Sequence, residues 1–233
     1  DWLAHCIGLA WVATTVGEYG QALLPAPWRL LPFGAQALAL GAIGLFTLIQ
    51  LRGLRAGSAS QELLSLVKAV AFLALVAACF LLPSQAQLGG GAVPPEPPIA
   101  PAWQHLTMPA VLALQAVITT YDGWASPVYF AEEFSEPERD LPRSLIGGVL
   151  AVMALYLLIN LALLHVLPIA QLASSTLPAA AAGRALAGPL GGNLITAVAL
   201  ISLLGLINTV VMAAPRILYG LGRDGLVPGF AAS

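Results

Sequence analysis

Charge is what this chain has least of. Of its 233 residues, 9 are Lys or Arg and 11 are Asp or Glu, a charged share of 9%, where soluble domains carry roughly a quarter. No surface stable in water can be made from that supply. Cysteine is as scarce: Cys6 and Cys79 are too few for a disulfide framework, and both fall inside apolar runs, so they say nothing of compartment. The net charge of -2 offers a nucleic acid nothing to bind, and no nucleic-acid partner is expected. Period-two alternation is missing, which excludes a membrane barrel, and an open sheet could not satisfy its edges in lipid. No zinc pattern, Walker loop, GxSxG or internal repeat is visible, and no cofactor is expected. Asp1 stands where an initiator Met would be, with no basic stretch before the first apolar run, so no signal peptide is expected. The chain reads as a piece of a longer one.

What remains is apolar: 59% of residues are hydrophobic and the mean hydropathy is +0.88. Crossing a bilayer takes about 20 such residues in a helix, and runs of that kind lie at 2–24, 33–51, 63–82, 109–131, 145–167 and 190–214. With flanking residues the last three extend to 107–133, 143–167 and 190–222. The expectation is an all-α polytopic membrane protein with six transmembrane helices, embedded in the lipid bilayer of the cell (plasma or inner) membrane.

Arginines set the expected orientation, because positive charge stays in the cytoplasm. Arg52, Arg55, Arg139, Arg143, Arg216 and Arg223 occupy one set of loops, and Arg29 and Arg184 the other. Span one should therefore run outward. The Gly/Pro-rich stretch at 83–105 reads as an external loop and as the seam between two three-helix parts, 1–82 and 106–233. Ser58 with Gln61 predicts a capping box before span three. Asp140 followed by Pro142 predicts a cap and first-turn proline before span five.

Few residues could carry chemistry. GLGRDG at 220–225 fits a dinucleotide pattern but follows a membrane helix rather than a strand. His5, His105 and His165 lie near span ends, as packed or interfacial histidines do. Lys68 stands inside span three among apolar neighbours; it either faces a partner or cavity or snorkels to the headgroups. Glu18 can reach water at the outer end of span one. Asn208 and Ser202, in span six, suit gluing helices together more than binding a ligand. The acids Glu132, Glu133, Glu136, Glu138 and Asp140, with Arg139 and Arg143, read as a solvated loop.

The fourth span breaks its own pattern at ITTYDGWASPVYFAEE, residues 118–133. Gly123 lets the backbone leave helical geometry and Pro127 removes a donor, which divides the span into an outer half and a short inner half ending near Phe134. Free N–H groups at the start of the inner half would carry the positive end of a helix dipole, capped by Asp122 or Ser126. Broken backbone at that depth is tolerated only where protein or a water-filled cavity surrounds it. A kink repaired by neighbours is the bland reading; a transporter binding site is the sharp one.

YDGW followed by AEE and EPERDLPRSL resembles the sixth-helix signature of the amino acid-polyamine-organocation (APC) transporters. RILYGLGRDGLVP at 216–228 is similar to the stretch after that superfamily's eighth helix, and RGLRAGSASQELLSLVKAVAF to its fourth loop and fifth helix. The resemblance implies an inverted-repeat, LeuT-like fold, of which the six spans would be helices three to eight, and secondary transport of amino acids or related amines by exchange or proton symport. It also implies that Thr119, Thr120, Tyr121, Asp122, Gly123 and Trp124 form the unwound segment contacting the substrate, that Lys68 takes the place of a sodium ion, and that Ser202 lies near that lysine. Some relatives have an aromatic gate where this chain has Thr119. The first and tenth helices of such a fold would be the missing partners of this chain. Two other readings stay open at the level of residues: an intramembrane enzyme with an Asp122 and Lys68 or Glu18 acid-base pair, and a non-transporting helical scaffold.

Overall fold

The computed structural model describes residues 2–29, 31–83, 107–121, 123–175 and 177–227. In lipid a backbone can pair its polar groups only within itself, and every described element is helical. In chain order these are α1 (Trp2–Leu23), α2 (Ala26–Arg29), α3 (Gly34–Leu51), α4 (Leu54–Leu81), α5 (Thr107–Tyr121), a 3-10 segment (Ser126–Glu133), α6 (Pro137–Val166), α7 (Ile169–Ser174) and α8 (Pro178–Arg223). Among the described residues, four helices are long and apolar enough to cross a membrane: α3, α4 from Arg55, α6 and α8. α1 has the length, but His5, Thr14, Thr15, Glu18 and Tyr19 dilute its apolarity. α5 has 15 residues, short of a span because it stops at the break.

Helix starts differ from the expected ones. α4 begins at Leu54, on a Gly53 held at φ 104°, well before the apolar run at 63. Ser58 is therefore inside the helix, where its hydroxyl donates to Arg55 O (3.3 Å), and no Ser58–Gln61 capping box forms. The Gly53 carbonyl instead accepts the N–H groups of Ala56 and Gly57. α6 likewise begins early: Glu136 O accepts from Arg139 N (3.0 Å) and Asp140 N (2.8 Å). Asp140 thus sits within the first turn rather than capping it, and Pro142 lies inside the helix. The Gly/Pro-rich stretch of 83–105 lies, except for Pro83, outside the described residues.

α8 is two helical pieces joined at a corner. Ala187 (φ -130°) and Gly188 (φ 63°, ψ -154°) leave helical geometry just before Pro189, as a residue preceding proline tends to. The two pieces touch backbone to backbone, since a Cβ on Gly183 or Gly191 would meet the other's carbonyl. The far end closes on a Schellman motif: Leu226 N donates to Leu221 O (3.0 Å) and Gly225 N to Gly222 O (3.2 Å), with Gly225 at φ 71° in the left-handed conformation the motif needs. GLGRDG is thus a helix ending and not a phosphate loop.

Two compact units divide the chain, one of Asp1–Leu88 with Tyr156–Ser233 and one of Gly89–Leu155. In the first, α1 packs on α3 and α8, and α4 packs on α8. Its core holds Val12, Ala13, Val16, Ala39, Phe46 and Ile207; a second cluster joins Leu75 and Cys79 to Ala162, Val166 and Ala182. Small residues let these helices approach closely, as membrane helices must without a hydrophobic drive between them. The extreme case is Gly17, whose absent Cβ would strike the carbonyl of Ala35 on α3. The second unit contains α5, the 3-10 segment and the start of α6, and α5 by itself buries no residue.

Candidate functional site

The break in the fourth apolar run is real and narrow. Helical pairing ends at Tyr121, Gly123 takes φ 91°, and the chain resumes as a 3-10 helix at Ser126. A side-chain-bearing residue rarely adopts that φ, so Gly123 is the point at which the sequence permits the turn. Ser126 N donates to Gly123 O (3.1 Å) and Val128 N to Ala125 O (3.0 Å), which gives the i to i-3 ladder of a 3-10 helix. Ser126 does not cap the inner half as expected. The cap position falls on Ala125 with no side-chain bond, and Ser126 is already the first residue of the 3-10 helix. Asp122 lies outside the described residues.

Thr119 and Thr120 are still helical. Their hydroxyls donate to Gln115 O (2.9 Å) and Ala116 O (2.7 Å), so their hydrogens are spent on the helix. Within their unit, Tyr121 and Trp124 are 42% and 64% exposed, which leaves both rings accessible beside the turn. The nearby acids keep a solvent face: Glu136 and Arg139 form an exposed ion pair at 3.3 Å, of the kind that contributes little.

Lys68 and Ser202 belong to the other unit, on the seam between α4 and α8. The Lys68 ammonium lies against α8, with Nζ 3.2 Å from where a Cβ of Gly205 would be. Its stem therefore runs across the helix pair toward Gly205. Ser202 is one turn from Gly205 on α8 and donates its hydroxyl to Val198 O (3.0 Å). Glu18 is exposed on α1, and His165, itself exposed, lies beside the Phe80 ring with centroids 5.2 Å apart and planes tilted by 31°.

Asn208 is wholly buried at the other end of the same seam. Its Nδ2 donates toward Gly57 O (3.2 Å), Ser60 Oγ (3.1 Å) and Gln61 Oε1 (3.0 Å) on α4. Its Oδ1 accepts from Gln50 Nε2 (2.8 Å) on α3. One amide thus ties three helices together, which bears out the expectation of a helix glue. Gln50 and Gly205 were not singled out from sequence, and Gln61 was read only as part of a capping box. The signal was there, because Gly57, Ser60, Gln61, Leu64 and Lys68 recur at helical spacing and line one face of α4.

Residues 2–233 match the amino acid permease family. Among relatives, the serine/threonine exchanger SteT of Bacillus subtilis is 34% identical over 122 residues, covering 50% of this chain and 27% of that protein. An uncharacterised protein of Methanocaldococcus jannaschii is 24% identical over 230 residues, 98% of this chain and 50% of its own length. The branched-chain amino acid permease BcaP of Lactococcus lactis is 29% identical over 112 residues, 48% of this chain and 24% of that protein. The chain thus spans half or less of the length of these relatives.

Proposed function

The chain belongs to the amino acid permease family, a family of transporters and not of enzymes, and from that premise we propose that it is the central part of a longer secondary transporter. The complete protein moves amino acids or related amines across the cell membrane by alternating access, as an exchanger or proton symporter. Six spans of this chain cross the bilayer, α1 and the broken α5 with its 3-10 continuation joining the four longer helices. Residues 1–82 end one inverted repeat, 83–105 form the external loop between repeats, and 106–233 begin the other.

The interruption between Tyr121 and Ser126 carries this reading. A turn at Gly123 inside an apolar run interrupts the helix at a depth where irregular backbone is tolerated only beside protein or a water-filled cavity, and transporters place their substrates at such breaks. Thr119, Thr120, Tyr121, Asp122, Gly123 and Trp124 contact the amino acid. Lys68, with Ser202 one turn along α8 from the Gly205 that its ammonium approaches, supplies the fixed positive charge that a sodium ion would otherwise provide, and so couples the two halves of the cycle. Helices outside this chain complete the substrate site.

The test is uptake by the full-length protein in liposomes. Amino acid uptake should proceed equally in sodium and in choline buffer, and Lys68→Ala should lower it on the order of tenfold, which is about 1.4 kcal/mol, while insertion is unchanged. Sodium dependence, or normal uptake by the variant, would remove Lys68 from the mechanism. Unaltered uptake after Gly123→Val would remove the break.

A further inference from the structure

The buried amide of Asn208 has no role in the transport reading above, yet every one of its polar atoms is committed. We propose that Asn208 is a positioning residue: it fixes the register of α4 on α8 and thereby places the Lys68 ammonium over Gly205. The inference rests on the reading of Lys68 as the coupling cation.

The seam between the two helices runs in matched steps. Gly57, Ser60 and Gln61 meet Asn208, Leu64 meets Gly205 with its Cβ 3.6 Å from the position of a Gly205 Cβ, and Lys68 Nζ follows at 3.2 Å. Along α4 from Ser58 to Ala74 no residue is fully buried. Apolar contact there is partial, and it is non-directional in any case. Hydrogen bonds are directional, so the clamp is what can hold this stretch against sliding or rolling.

The amide's orientation is fixed by its surroundings. Gly57 O can only accept, so the Asn208 atom facing it must be nitrogen, and Oδ1 then faces the donating Gln50 Nε2. Two N–H hydrogens serve three acceptors, which makes one of the bonds shared. Ser60 Oγ donates in turn to Gly57 O (2.7 Å), and Gln50 lies where a Cβ of Gly57 would be. Lys68 is two helical turns from Gln61, so a change of helix rotation at the clamp is carried directly to its stem.

Asn208→Asp tests this, because it keeps the shape and the Gln50 bond while turning a carboxylate on Gly57 O and Gln61 Oε1. The register reporter is a Leu64→Cys and Gly205→Cys pair in the full-length protein with Cys6 and Cys79 replaced by alanine. Its Cβ separation falls in the range of about 3.5–4.5 Å that a disulfide spans. Oxidant should cross-link the pair readily with Asn208 present and roughly tenfold more slowly once Asn208→Asp is added, the scale of one lost buried hydrogen bond. Without the cysteine pair, Asn208→Asp should lower uptake as far as Lys68→Ala does, and the double variant should lose no more, as residues acting through one group do.

An unchanged cross-linking rate, or no cross-link with Asn208 present, overturns the proposal, as does normal uptake by Asn208→Asp beside an impaired Lys68→Ala. Normal uptake by Lys68→Ala, with cross-linking still slowed by Asn208→Asp, would instead sink the coupling role and leave the register clamp standing. If Asn208→Asp does not reach the membrane, Gln50→Leu and Gln61→Leu, which each remove one bond, carry the same comparison.

Discussion

Gly205 decides where a lysine can sit. Its bare α-carbon leaves the space that Lys68 Nζ approaches at 3.2 Å, and that neighbour is the free end of a flexible chain. Gly205→Ala should therefore not lower stability, since helix propensity favours alanine by up to about 1 kcal/mol, while the ammonium is pushed a few tenths of an ångström out of place. The expected outcome is an undiminished melting temperature in detergent with a reduced transport rate; a fall in melting temperature with full transport would mean that the space serves packing alone. Asn208, three residues on, works by direction more than by strength. Interhelical hydrogen bonds in membrane proteins average about 0.6 kcal/mol, so four of them hold a register without dominating the fold.

Among the helices, close approach is what glycine decides. At Gly17 a Cβ would strike the carbonyl of Ala35, whereas at Gly8, on the same helix, nothing lies within 4 Å. Gly17→Ala must push α1 and α3 apart, at a cost of roughly 1–3 kcal/mol. Gly8→Ala should be neutral or stabilising by up to about 1 kcal/mol through helix propensity. Thermal unfolding of the two variants side by side checks the pair, and equal midpoints would mean that α1 does not pack on α3 through Gly17. A different constraint governs Gly123, where space is ample but φ is 91°. Gly123→Ala should cost about 1–2 kcal/mol through backbone strain, and that cost should appear as altered substrate affinity in transport assays if the turn is the binding segment.

For the molecule as a whole, the proposed function makes the two charges of an amino acid substrate the requirement. An amino acid carries an ammonium and a carboxylate, and burying either uncompensated costs several kcal/mol. On the proposed function this chain would offer one wall, the turn after Tyr121. Purified alone, it should show no measurable binding in a calorimetric titration with neutral, cationic and anionic amino acids, while the full-length protein binds one class. Equal affinity in both samples would make this chain a binding unit by itself and contradict the role given to the further helices.

The sequence by itself determined that the chain is helical and belongs in a membrane, because scarce charge and long apolar runs leave backbone groups no other partners. It also located the break, since Gly123 and Pro127 are local constraints that act wherever the span lies. Only tertiary structure decided the helix starts at Leu54 and Pro137, which depend on which carbonyls the chain before them presents and not on the polar residues that suggested caps at Ser58 and Asp140. It also decided that Lys68 turns toward Gly205 and that Asn208 meets Gln50 and Gln61. Those pairings join residues far apart in the chain, and nothing local in the sequence records which helix face meets which.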